Sequence, residues 1–242
     1  MPTNAALRPG LAVVLAVLNG LISSPPHTPA KNDQSLSKAG RESIFLRIAG
    51  PTLTIVQVQL ILCAGSLAET LTPAALATNH QLRQTLLKYL LFTPASSVDL
   101  RLTRLGALGA AVGIFGCLLR YQSFQTLGSF FTFQLAIRKS HALVTSGPYR
   151  FVRHPSYTGS ILASLGTATF FLSEGGYLRE SGALKTVLGA ACVGIWISWK
   201  LFLSYNLITR TKVEDKFLEA EFGDEWVEWS KRVQYKLFPG LY

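Results

Sequence analysis

The chain has 242 residues, 49% of them apolar and only 15% charged, with a net charge of +10 and mean hydropathy of +0.31. A water-soluble domain carries about 25% charge, so this composition argues against a soluble enzyme and for lipid as the surrounding solvent. The cations do not point to nucleic acid, because they gather at the ends of apolar runs, as juxtamembrane charge does.

A spanning helix needs about 20 mostly apolar residues, and five stretches qualify as candidates. The first, residues 11–23, is short. Arg8 before it and Ser23-Ser24-Pro25-Pro26 after it also suit a signal peptide. A retained helix is the favoured reading, because the cysteines show no sign of an oxidising compartment. Cys63, Cys117 and Cys192 each lie inside an apolar run, with no Cys-x-x-Cys pair, so neither a metal site nor a disulfide framework is expected.

The second candidate is residues 48–67. Residues 71–91 are mildly apolar but hold Asn79, His80, Arg83 and Lys88, which suits an interfacial helix rather than a span. The third, residues 105–119, carries Gly106, Gly109, Gly113 and Gly116 at spacings that let helix backbones approach closely in lipid. The fourth is residues 157–172, and the fifth is residues 184–208, interrupted by Lys185 and Lys200.

With the N-terminus outside, fifteen lysines and arginines fall on the cytoplasmic side and seven on the other. The predicted fold is therefore all-α. It is a polytopic membrane bundle of about five transmembrane helices with a cytosolic amphipathic C-terminal helix.

Two polar segments stand out, after the third and fifth stretches. Residues 134–159 hold His141, Tyr149, Arg150, Arg153, His154 and Tyr157. Gly147-Pro148 signals a turn. Pro155 suits the first turn of a helix, whose free N–H groups and positive dipole end favour an anionic group. His154, beside that proline, reads equally well as a capping or interfacial residue.

In the second segment, seven of the chain's 13 acids fall between Glu214 and Glu228. Arg210 and Glu214 are one helical turn apart and share a face, which a plain ion pair also explains. Phe217, Leu218 and Phe222 form the face that docks this helix on the bilayer or the bundle. Residues alone thus describe a pocket of mixed charge beside lipid, suited to an amphipathic ligand, and name no reaction.

The string Leu143-Val-Thr-Ser-Gly-Pro-Tyr149-Arg-Phe-Val-Arg153-His154-Pro155-Ser156-Tyr157-Thr-Gly159 resembles the signature of the isoprenylcysteine carboxyl methyltransferases. So does the ending Arg210-x-x-x-Glu214-Asp215-x-x-Leu218-x-x-x-Phe222-Gly223-x-x-Trp226-x-x-Trp229, followed by Lys231-Arg232-Val233 and Phe238-Pro239. The resemblance covers residues 134–242 as a catalytic region. Residues 1–133 are N-terminal transmembrane helices and loops of the same integrated domain.

The resemblance implies an endoplasmic reticulum membrane enzyme with its site facing the cytosol. It implies transfer of the methyl group of S-adenosylmethionine to the C-terminal carboxylate of prenylated cysteine in proteins. By position, it assigns cofactor contact to Gln134, His141, Ala142, Leu143, Val144, Tyr149, His154, Pro155, Ser156, Tyr157 and Glu214. It assigns catalytic roles to Arg210 and Glu214, with Arg210 holding the substrate carboxylate. No metal and no nucleic acid are expected, and the oligomeric state stays open. Asp215 departs from the family's usual second glutamate, a change expected to alter cofactor affinity. Trp226 and Trp229 stand where tyrosines are common, a change expected to alter packing only.

The residues suit this chemistry. A carboxylate with a pKa of about 3.5 is ionised at neutral pH, so its attack on a sulfonium methyl needs no general base. It needs alignment of two bound reactants, which supplies up to about 7–11 kcal/mol. Arg210 offers a planar fork for the carboxylate. The alternatives are a phospholipid N-methyltransferase, which shares this style of motif but needs a neutral amine and hence a base, a sterol reductase using a nicotinamide, and a non-catalytic scaffold.

Overall fold

The structure is a computed structural model, and it describes residues 3–23, 67, 71–72, 90–94, 98–130 and 142–242. Helix is the regular structure of the described residues. The long elements are α1 (Thr3–Ser23), α2 (Arg104–Leu127), α3 (Pro155–Leu172), α5 (Val187–Phe222) and α6 (Asp224–Arg232), with one short turn, α4 (Tyr177–Glu180), between α3 and α5. Four of the five predicted apolar stretches are helices here, while residues 48–66 and most of 71–91 lie outside the described residues. Among the described residues, two helices, α2 and α5, are long and apolar enough to cross a membrane.

The glycines of α2 pack against α3. A Cβ on Gly109 would stand 2.6 Å from the Phe170 backbone nitrogen, and one on Gly159 would stand 2.7 Å from that of Arg120. Cβ atoms on Gly116 and Gly166 would run into the backbones of Ala163 and Gly113. The two helices therefore meet backbone to backbone, the close approach that small residues permit.

Helix α1 is built into this pair rather than standing apart. Ala12, Leu15 and Ala16 share a core with Ala110, Phe170, Phe171 and Trp196. Asn19 donates to the Thr167 hydroxyl at 3.2 Å. Arg8, read from sequence as flanking charge, is fully buried. Its guanidinium donates to the Phe170 carbonyl at 2.6 Å and lies over the Phe170 ring.

Helix α5 joins two expected pieces, the fifth apolar stretch and the amphipathic helix after it, into one element. Hydropathy ends near Ile208, but the helix continues to Phe222. Residues 210–222 are rich in Lys, Glu, Leu and Ala, strong helix formers whatever their polarity. The helix stops at Gly223, whose φ of +51° suits glycine. Helix α6 then starts with Asp224 and Glu225 and ends with Lys231 and Arg232, charges that match its dipole.

Candidate active site

The site forms where the start of α3 meets the polar end of α5. Gly147, at φ +58°, opens a 3-10 turn (Gly147–Arg150) that returns the chain toward α2. Pro148 and Tyr149 are buried there. Tyr149 joins Trp226, Trp229 and Val233 in an apolar cluster, flanked by Leu127, Leu143, Val144, Leu218 and Phe222. Leu218 and Phe222 thus dock α5 on the protein's own core, and both tryptophans pack in it. Burial first, then the nearby Glu214 charge, pushes the Tyr149 phenol well above its ordinary pKa, so it stays protonated.

Helix α3 begins at Pro155, as the proline requires. His154 is its N-cap residue, but its side chain makes no cap hydrogen bond. The imidazole instead reaches α5. Nε2 lies 3.0 Å from Asp215 Oδ1, and Nδ1 lies 3.8 Å from Glu214 Oε2. The ring stacks on Tyr157, with centroids 5.5 Å apart and planes at 8°. Tyr157 in turn donates its hydroxyl to Glu214 Oε2 at 2.6 Å. The anions beside this helix start are therefore the protein's own.

The acidic pair divides its work. Asp215 is sealed, with 8% of its side chain exposed, whereas Glu214 keeps 26%. Asp215 Oδ2 meets Arg153 Nη1 at 3.3 Å and Lys236 Nζ at 3.0 Å. Burial alone would raise the Asp215 pKa. Hydrogen bonds from His154 and Lys236 and the Arg153 charge outweigh that and hold it below the ordinary 3.8. Asp215 thus serves the internal charge cluster, and Glu214 is the acid within reach of a ligand.

The predicted site residues are gathered unevenly. Tyr149, His154, Tyr157 and Glu214 converge, with Leu143 and Val144 at the flanking apolar cluster. Arg210 lies one turn before Glu214 on α5 and is partly buried. Its charge is felt at Tyr157 and at Arg120. Pro155 and Ser156 are buried, and Ser156 accepts Arg120 Nη1 through both its carbonyl and hydroxyl oxygens at 3.2 Å. Ala142 is exposed, and Gln134 and His141 lie outside the described residues.

Sequence reasoning counted Arg120 only as flanking charge. Here it is buried and pins three helices, because its Nε also donates to the Ile22 carbonyl at the end of α1. A basic residue opposite a first-turn serine of the next helix carries no signal that would have singled it out.

The arrangement offers a partly exposed carboxylate, a stacked imidazole and phenol, and a guanidinium one turn away, all beside an apolar cluster. Such a donor set suits a ligand with a cationic part, an anionic part and an apolar part.

Comparison with known proteins points the same way. Residues 109–176, which hold most of α2 and all of α3, match the model of the isoprenylcysteine carboxyl methyltransferase (ICMT) family. Protein-S-isoprenylcysteine O-methyltransferase B of Arabidopsis thaliana is 31% identical over 127 residues, covering 52% of this chain and 55% of that protein. The Mus musculus protein-S-isoprenylcysteine O-methyltransferase is 33% identical over 135 residues, covering 55% of this chain and 41% of that protein. The cobalt-zinc-cadmium resistance protein CzcN of Cupriavidus metallidurans is 36% identical over 104 residues, covering 43% of this chain and 38% of that protein. The chain spans about half the length of the curated relatives it matches, and those relatives are not all named for one activity. Through the segment that carries His154 and Tyr157, the chain is similar to the isoprenylcysteine carboxyl methyltransferases.

Proposed function

We propose that this protein methylates the C-terminal carboxylate of prenylated cysteine, using S-adenosylmethionine, in a membrane of the endoplasmic reticulum with its site toward the cytosol. In this reading five helices cross the bilayer. The exposed apolar side chains of α5, among them Val187, Leu188, Ile195 and Leu201, face lipid. One observation carries the reading: Tyr157 and His154 from one polar segment meet Glu214 from the other, one turn from Arg210. The two motifs would otherwise be unrelated pieces of sequence.

The residues present fit the cofactor. Glu214 is partly exposed and supplies a carboxylate for an ammonium group, and Tyr149, Leu143 and Val144 supply an apolar wall. When bound, the cofactor contributes a methyl group activated by its sulfonium. Gln134, His141, Ala142, Pro155 and Ser156 complete the proposed set. Of these, Pro155 and Ser156 act by holding the start of α3 rather than by open contact. Arg210 would hold the substrate carboxylate with two parallel N–H donors and so orient it for the transfer. No residue has to take a proton, because the acceptor arrives ionised. The prenyl chain enters between helices from the lipid side.

The test is methyl transfer by the full chain in membranes, with a farnesylcysteine analogue and phosphatidylethanolamine offered side by side. Label on the prenylcysteine is expected. Label on the phospholipid alone would instead favour N-methylation. R210K keeps the charge but loses the fork, so transfer should fall at least about a hundred-fold while cofactor binding persists. Equal loss of both would remove Arg210 from its role. E214Q should weaken cofactor binding first, and unchanged affinity in a titration would exclude that assignment.

A further inference from the structure

We propose that Lys236, on the chain segment that follows α6, is a positioning residue for the ligand site, acting through Asp215 on His154 and Glu214. The inference rests on the reading of Glu214 as the cofactor's carboxylate, and extends it to the segment packed behind Asp215.

The segment is tied to the start of α3 by consecutive carbonyls. The Gln234 carbonyl accepts Arg153 Nη2 at 3.2 Å, and the Tyr235 carbonyl accepts the Arg153 backbone N–H at 2.9 Å. The Lys236 carbonyl accepts the His154 N–H at 2.9 Å, and the Leu237 carbonyl accepts the Thr158 hydroxyl at 2.7 Å. Beyond them the chain folds back, with the N–H groups of Leu237 and Phe238 donating to the Tyr242 carbonyl. Leu237 is 1% exposed. The Lys236 backbone therefore has one place to be, and its ammonium is delivered to Asp215 Oδ2 at 3.0 Å.

That delivery matters because of what Asp215 does with its other oxygen. A sealed carboxylate is costly unless cations compensate it, and here Lys236 and Arg153 share Oδ2 while Oδ1 is left to His154 Nε2. This hydrogen bond sets the imidazole plane, on which Tyr157 stacks. Tyr157 then holds Glu214 Oε2 at 2.6 Å. The chain of contacts runs Lys236, Asp215, His154, Tyr157, Glu214, and its two ends keep some exposure, Lys236 at 23% and Glu214 at 26%, with Asp215 and His154 sealed between them. Lys236 touches nothing that reacts. Its removal leaves the acid with Arg153 alone and lets the imidazole and the exposed carboxylate lose their setting.

The experiment uses the full chain in lipid nanodiscs as wild type, K236M, K236R, D215N and D215N/K236M. It measures S-adenosylmethionine affinity by calorimetry, with kcat and both KM values from steady-state methyl transfer. K236M should raise the cofactor Kd and KM about ten-fold, with kcat at saturating cofactor within about three-fold and the prenylcysteine KM unmoved. K236R should recover the affinity to within about three-fold of wild type, because the charge returns. In the D215N background, K236M should add less than about two-fold, because the path runs through Asp215.

A merely structural role predicts a uniform loss of active protein with unchanged KM values, and that outcome overturns the proposal. If K236M does not accumulate, the double variant takes its place, since it removes the Lys236 charge together with the acid it meets, and D215N alone controls for the loss at Arg153. Affinity equal to that of D215N then supports the proposal, and a further several-fold loss overturns it. A wild-type chain that binds no S-adenosylmethionine overturns the reading of the site itself, and the role of Lys236 with it. A wild type that binds alongside a K236M that binds as tightly overturns Lys236 alone.

Discussion

Along α2 and α3 the contact runs through Gly109, Gly116, Gly159 and Gly166, where backbone meets backbone. Where α3 starts, its contact with α5 runs through His154, Tyr157, Glu214 and Asp215, side chain to side chain. The first interface is specified by shape and has no room for an added carbon. The second is specified by charge and hydrogen bonding. It accepts a change of volume more readily than the loss of one partner, because a buried charge without its counterpart costs more than a small misfit. The helix pair is close-packed, and the candidate site sits where the contacts are directional.

The largest break in this comparison comes from the glycine seam. In G166L the Cβ alone would run into the Gly113 backbone, before the rest of the side chain is placed. Overpacking ordinarily costs about 1–3 kcal/mol and more where backbone must move, so no folded protein is expected from size-exclusion of solubilised membranes. Recovery in normal yield would refute the close approach.

Next is D215A, which leaves Arg153 and Lys236 facing no acid. Breaking a buried pair costs about 3–5 kcal/mol, and the lower end is expected because 23% of the Lys236 side chain is exposed. The same residue sharpens the comparison through pH. The folded Asp215 pKa lies below the ordinary 3.8, so its contribution is complete above that value and is lost as pH falls through the folded one. Thermal melting of the wild type should fall on acidification below about pH 4 more steeply than that of D215N. Parallel curves would show that Asp215 does not carry the acid sensitivity.

W229F tests the apolar cluster beside the site. The Trp229 indole N–H is buried without a hydrogen-bond partner, so only packing is lost. Less than about 1.5 kcal/mol is expected in a denaturation series. The smallest effect is T158V, which removes the hydroxyl that holds the Leu237 carbonyl. It should cost about 1 kcal/mol, read as a small fall in melting temperature. A loss rivalling that of D215A would move the main hold on the last segment from charge to this hydrogen bond.

Sequence periodicity and punctuation located much of this. Gly106 to Gly116 announced a close helix contact, though not with which partner, because a glycine carries no complementary feature to match. Pro155 fixed the start of α3. The two motifs named Tyr149, His154, Tyr157, Arg210 and Glu214, which the fold gathers at one end.

Three things stayed hidden, each for a physical reason. The continuity of α5 stayed hidden because hydropathy, which ends near Ile208, divides the span from the amphipathic helix expected after it, whereas helix propensity runs on through charged residues. Arg8 and Arg120 looked like flanking charge because nothing in a lone arginine says that carbonyls await it. The segment around Lys236 was invisible as part of the site, because its carbonyls bind, and every residue has one.

The unbroken length of α5 carries a mechanical consequence. At 1.5 Å per residue its 36 residues measure about 54 Å, against a hydrocarbon slab of about 30 Å. In the bilayer setting proposed above, the rod that lipid grips is the same rod that presents Arg210 and Glu214 about 5–10 Å further on. A thinner or thicker membrane changes the tilt of such a rod, and that tilt loads the contact of its overhanging end with His154. Turnover in vesicles of graded acyl length would then rise and fall around one thickness, with the lipid acting as the ruler.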